Sequence, residues 1–147
     1  MEKIGDALKK FELKNEEETI LWGENFVKKL SIGELILVSG DLGAGKTSLA
    51  KGIGKSLKLK SKVTSPTFTK LNIHHGKWTF YHFDLYNIKE AQELEEIGIY
   101  DFLEPDDGIS LVEWWEKFPK TFIAPYHFIK IEKKENFRVL SYNYVTE

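Results

Sequence analysis

The sequence contains no cysteine, which excludes a disulfide framework and a thiolate metal site. Of its 21 Lys and Arg residues only Arg138 is an arginine. Bidentate clamps of the kind arginine makes to phosphates therefore have almost no material here. No apolar run approaches the ~20 residues of a membrane-spanning helix, and the run Leu35-Ile36-Leu37-Val38 is far shorter. The N-terminus is charged and carries no apolar signal stretch, so a cytoplasmic protein is expected, with no membrane contact. Neither sign of charge dominates, since 21 basic against 23 acidic residues leave a net charge of −2. That balance argues against a basic surface able to bind nucleic acid on its own. No linker, low-complexity tract or internal repeat interrupts the chain.

What is present suits a folded domain. A length of 147 residues fits one domain, residues 1–147, that can bury about 68–70% of its extended-chain surface. Aromatic residues at 14% argue against disorder. Phe11-Glu12-Leu13 reads as a short strand. Asn15 and Glu18 have N-cap and N3 spacing, so a helix starts there, carried on by Ile20, Val27 and Leu30 and leaving at Gly33. Leu35–Ser39 is a buried strand, and Lys46 to about Lys58 a helix. Gly52 and Gly54 inside that helix each cost about 1 kcal/mol against alanine, which means close packing or an early end. Thr67–His74 and Trp78–Asp84 form a hairpin around His75-Gly76-Lys77, and Lys89–Ile97 a short helix ended by Gly98. Ile109–Val112 is a second buried strand, and Phe128–Lys133 with Phe137–Val145 a closing hairpin. The order implies an α/β fold with a mixed, mostly parallel central sheet, helices and β-hairpin additions.

The segment Gly40-Asp41-Leu42-Gly43-Ala44-Gly45-Lys46-Thr47 fits G-x-x-x-x-G-K-[ST] at every position. Glycines let backbone N–H groups turn inward on phosphate oxygens, and the helix that follows through Ser48 adds its positive end. In this pattern Lys46 reaches the terminal phosphates and the Thr47 hydroxyl ligates Mg²⁺. With glycine near 7% of residues, fewer than about 1% of chains this long would carry it by chance. Its setting, between a buried strand and a helix, is the one the motif requires.

Magnesium in such a site also takes one or two carboxylates. Asp84 and Glu113 both end apolar strands, where open α/β sheets bind ligands. Asp101, Glu104, Asp106 and Asp107 fall in a loop and read as solvated. His82 shares a strand face with Asp84 and is an orienting or a packed residue; no third ligand completes a zinc site. His74 and His75 sit at a turn and read as solvent-exposed, whereas Trp114 and Trp115 read as core or rim aromatics. Glu113 could ligate the metal or orient the attacking water.

Four separated blocks now resemble one family, the bacterial TsaE (YjeE) proteins. Gly40 to Thr47 is similar to the family's GDLGAGKT cradle, and Val63-Thr64-Ser65-Pro66-Thr67-Phe68 to its VTSPTF segment. His82-Phe83-Asp84-Leu85-Tyr86 resembles an HxDxY block, and Val112-Glu113-Trp114 with Glu116 a VEWxE block. Glu18-Thr19 is a weaker match. The resemblance implies a P-loop ATPase required for threonylcarbamoyladenosine (t6A) modification of tRNA, acting with TsaD- and TsaB-type partners and resetting their complex. It implies Asp84 and Glu113 on the magnesium side, a switch-like loop placing Ser65 and Thr67 near the γ-phosphate, and Thr19 and Arg138 as adenine-side candidates. Asn87 stands where the family commonly has arginine, and Trp115 where it commonly has proline. The competing readings are a small-molecule kinase, which would need an acceptor clamp, and a nucleotide-binding module that never hydrolyses. A GTPase is disfavoured because no N-K-x-D-type element is present.

Overall fold

The computed structural model of the chain describes residues 8–147. Seven strands form one mixed sheet, and each element follows from its local sequence. The strands are β1 (Lys9–Leu13), β2 (Leu35–Ser39), β3 (Leu71–His74), β4 (Thr79–Asp84), β5 (Gly108–Glu113), β6 (Tyr126–Lys133) and β7 (Arg138–Val145). The helices are α1 (Glu16–Val27), α2 (Lys46–Ser56) and α3 (Ala91–Glu96). Sheet order is β1-β7-β6-β2-β5-β4-β3. The inner four, β6, β2, β5 and β4, pair in parallel; the outer pairings are antiparallel.

Parallel strands covered on both faces need apolar side chains in both directions. In β2, Ile36 and Val38 join a core with Phe26, Leu49 and Ile53 of α1 and α2. Leu35 and Leu37 point into a second core with Phe83, Leu94 and Ile99.

α1 begins as expected. The Asn15 side chain accepts from the Glu18 N–H at 2.9 Å, while Glu18 accepts from the Lys14 N–H at 2.8 Å. Its end is earlier than expected: the helix stops at Val27, and Lys29 and Leu30 bond back only three residues. Leu30 still enters the core, so its spacing reflects burial rather than helix. Gly33, at φ +99°, instead gives its N–H to the Gly108 carbonyl.

The two interior glycines of α2 do not end it. A Cβ on Gly52 would stand 2.0 Å from the Ile20 oxygen, and one on Gly23 of α1 2.5 Å from the Leu49 oxygen. These two helices touch backbone to backbone, which explains glycine where alanine would favour helix.

Several other expectations need correction. β3 starts at Leu71, not Thr67, because residues 67–70 form a turn closed by Lys70 N–H to Pro66 O. α3 is shorter than 89–97, capped by Glu90 and Glu93 and followed by Gly98 at φ +78°. His74 is buried, not exposed, stacked on Phe80 with Nδ1 2.6 Å from Ser61 Oγ; His75 is exposed. Asp107 is exposed yet accepts the Tyr81 hydroxyl at 2.9 Å. Burial first, and Asp107 second, push the Tyr81 phenol up to about 12.

Two outcomes test these contacts. Gly52→Ala should destabilise by about 1–3 kcal/mol through overpacking, opposite in sign to helix propensity; urea midpoints read the difference. His74 and His127 have pKa values held below the ordinary histidine value, in each case chiefly by burial. Near pH 6.5 and below, the unfolded chain takes up protons that the folded chain refuses, so stability falls as pH falls. Between about pH 7.5 and 5.5 the urea midpoint should decline, and less steeply in His127→Gln.

Candidate nucleotide-binding site

The turn from β2 into α2 is the Gly40–Thr47 segment. Gly45, the residue before α2, has φ +121°, and no side chain caps the helix. The first N–H groups of α2 are thus left for an external acceptor, with the helix dipole behind them.

Lys46 is buried. Its Nζ donates to the Gly40 carbonyl and lies 4.2 Å from the centroid of the Trp114 ring. Burial pulls its pKa below the usual lysine value, against the opposing pull of Glu113 and Asp84. Those two acids end adjacent parallel strands and face each other in register, at 2% and 3% exposure. Burial raises the Asp84 pKa and Glu113 adds to that, while hydrogen bonds from Tyr86 N–H and Thr67 Oγ1, both 2.9 Å, act the other way. Glu113 Oε2 is 2.6 Å from His82 Nε2. His82 is wholly buried beside Phe80, and its Nδ1 has no partner. Of the two sequence readings for His82, packed and orienting, the geometry unites both.

The 64–68 loop closes one side. Ser65 Oγ and Thr67 Oγ1 are 2.7 Å apart, and Asn87 Nδ2 donates to the Thr67 carbonyl at 3.0 Å. Asn87, at a position where the TsaE resemblance leads one to expect arginine, thus ties this loop to the segment after β4. Trp115, the other departure, donates Nε1–H to Ser39 Oγ at 3.1 Å and packs edge-on against Phe128.

A cavity of about 250 Å³ gathers Leu42, Gly43, Gly45, Lys46, Thr47, Ser48, Ser65, Thr67, Asp84, Glu113 and Trp114. Gly40, Asp41 and Ala44 do not line it. Gly40 holds Lys46, and the Ala44 N–H bonds to the Asp41 carbonyl at 3.0 Å. Ser48 Oγ donates to Glu16 Oε2 at 2.8 Å, tying α2 to α1.

Arg138 is the residue whose place the sequence obscured. It opens β7, 94 residues beyond Ala44, yet its Nε–H donates to the Ala44 carbonyl at 2.9 Å. Thr19 is buried in α1, and its methyl lies 3.9 Å from where a Gly45 Cβ would stand. Neither line of contact has a signature in local spacing.

The sequence model of the family described as "Threonylcarbamoyl adenosine biosynthesis protein TsaE" matches residues 13–140. The chain belongs to the TsaE family. Relatives named tRNA threonylcarbamoyladenosine biosynthesis protein TsaE agree. The Synechocystis protein is 41% identical over 67% of this chain and 65% of its own length, so the match spans just under two thirds of that relative. The Nostoc protein is 38% identical over 78% of this chain and 72% of its own. The Treponema pallidum protein is 34% identical over 69% and 74%. Among solved structures, Bacillus subtilis YdiB superposes with a TM-score of 0.80 at 25% identity, covering 98% of this chain and 87% of that one. The matched residues 13–140 include every residue that lines the cavity.

Thr67→Val keeps the shape of this TsaE chain's loop but removes the hydroxyl that meets both Ser65 and Asp84. Each lost bond is worth about 1 kcal/mol, so amides of residues 64–70 should exchange roughly thirtyfold faster than in the parent.

Proposed function

We propose that the chain acts, as one P-loop domain in the cytoplasm, in tRNA threonylcarbamoyladenosine biosynthesis by binding and slowly hydrolysing ATP with Mg²⁺. Proteins of the TsaD and TsaB type would be its partners, and the nucleotide cycle would reset their complex without the chain attaching the threonylcarbamoyl group itself.

One observation carries this reading: an uncapped helix start, a buried lysine and two buried carboxylates converge on one cavity. The charges fit a metal-bound phosphate. Lys46 is held below its usual pKa by burial, a cost that an anionic phosphate would offset. Asp84 is held above its own, a cost that a cation would offset. Among the described residues no group of three or more His, Asp or Glu side chains forms a metal cage. Thr47, Asp84 and Glu113 offer oxygens at the cavity, a donor set that with phosphates and waters suits Mg²⁺. In this reading Lys46 and the 40–48 backbone hold the phosphates, and Ser65 and Thr67 lie beside the terminal one. When bound, the metal neutralises phosphate charge. Glu113, aimed by His82, accepts a hydrogen bond from a water or from the metal's shell.

Slow turnover follows from the arginine count. Charge neutralisation by an arginine is worth 10³–10⁵ in rate for P-loop hydrolases. The single arginine, Arg138, donates its Nε–H to the Ala44 carbonyl on the loop's own backbone.

Three measurements test the proposal. ATPase assays on the purified chain should give slow turnover alone and acceleration by at least about tenfold with TsaD- and TsaB-type proteins; rapid turnover alone defeats it. Lys46→Ala should abolish calorimetric binding of Mg·ATP, and unchanged affinity removes the cradle assignment. Glu113→Gln should keep ATP while losing turnover.

A further inference from the structure

At the end of the strands opposite the nucleotide cavity lies a larger cleft, of about 440 Å³, within the range of small-ligand sites. It opens at the amino ends of β2 and β6, a strand length of about 13–17 Å from the Gly40–Thr47 turn. Its walls include Leu35, Leu103, Ile123 and Pro125, two tyrosines, Tyr126 and Tyr144, and two acids, Glu34 and Glu104. Ile123 is 78% exposed and Tyr144 42%, so apolar surface stands open at its rim.

The acids have no cation. No lysine or arginine lines the cleft, and among the described residues none lies within ion-pair distance of Glu34 or Glu104. Among the described residues the charged-type contact of Glu34 is His127, whose Nε2 is 2.5 Å from Glu34 Oε1. His127 is buried against Phe26, Tyr142 and Tyr144, and burial holds its pKa below the histidine norm. Burial favours the neutral ring, against the opposing hydrogen bond and charge of Glu34, and its Nδ1 meets Tyr142 Oη at 2.8 Å. A neutral ring that donates from Nε2 to Glu34 and accepts from Tyr142 uses both nitrogens. It fixes Glu34 in place. The Ser31 N–H takes the other carboxylate oxygen. Each oxygen keeps a lone pair for a further donor, and the Glu34 side chain is 26% exposed.

We infer that this cleft is a second binding site, for an organic cation with an alkyl body, an alkylguanidinium or alkylammonium. The cationic head meets Glu34 and Glu104 and the exposed Tyr144 ring, since aromatic rings attract cations; the alkyl body lies along Leu35, Leu103 and Pro125. The chemistry is shared by a free amine or guanidine and by the arginine or lysine side chain of a protein. Nothing in it depends on the nucleotide reading, which concerns the other end of the strands.

The test uses the full chain and n-butylguanidinium, followed by amide chemical shifts and calorimetry. Shifts should saturate at Gly33, His127 and Tyr144 and leave residues 40–48 unmoved. The uncharged isostere n-butylurea should bind at least about tenfold more weakly, and Glu34→Gln, which still accepts from His127, should lose about as much. Glu104→Gln supplies the second variant should Glu34→Gln fail to melt cooperatively, and it should weaken binding in the same direction. Tighter binding of acetyl-Gly-Arg-Gly-amide than of n-butylguanidinium assigns the site to a protein's side chain, and the reverse to a free small cation. Equal affinity for the urea and the guanidinium, or unchanged affinity in both glutamine variants, overturns the proposal.

Discussion

Holding Lys46, Asp84 and Glu113 out of water at one end of the parallel strands is the constraint around which the rest of the molecule is arranged. Each charge costs free energy to bury, and their mutual attraction only partly offsets it. The opposite displacements of the Lys46 and Asp84 pKa values express that imbalance. The surrounding structure holds the groups in place nonetheless. Lys46 rests on the Gly40 carbonyl and the Trp114 ring, Asp84 on Thr67 and the Tyr86 N–H, and Glu113 on His82. A ligand that brings both signs of charge would offset both costs.

The scaffold serves that arrangement. The parallel register of β4 on β5 sets Asp84 beside Glu113, and the parallel pairing of β5 with β2 brings both to the edge where the Gly40–Thr47 turn leaves the sheet. Backbone contact between α1 and α2 at Gly23 and Gly52, with Ser48 bonded to Glu16, fixes the start of α2 under the loop. The closing hairpin contributes Arg138, which braces the loop at Ala44. Asn87 and Trp115, the departures from the family pattern, each make a hydrogen bond next to the site. Both support the site from outside the cavity.

Much of the fold was legible because its strongest signals are local. Leu35–Ser39 is an unbroken apolar run ahead of a glycine turn, and its limits match β2. Asn15 with Glu18 marks the start of α1 for the same reason, as a cap is made within a few residues. Errors came where burial and periodicity separate. Leu30 is apolar to fill the core, not to extend α1. Thr67–Lys70 is shaped by Pro66 and by bonds to Asp84 and Asn87, not by strand pairing. His74 is polar by type but buried by its place opposite Phe80 in the hairpin.

By itself the sequence determined the Gly40–Thr47 turn, because eight contiguous residues set the dihedral freedom and leave the helix start uncapped. It also determined that two acids end apolar strands. Only the tertiary structure decided that these acids stand side by side, that His82 aims one of them across 31 residues, and that Arg138 reaches the loop across 94. It alone joined His127 to Glu34 across 93 residues at the far edge. Such meetings depend on strand order and register, which are settled by how whole faces bury against one another and not by any short stretch of chain.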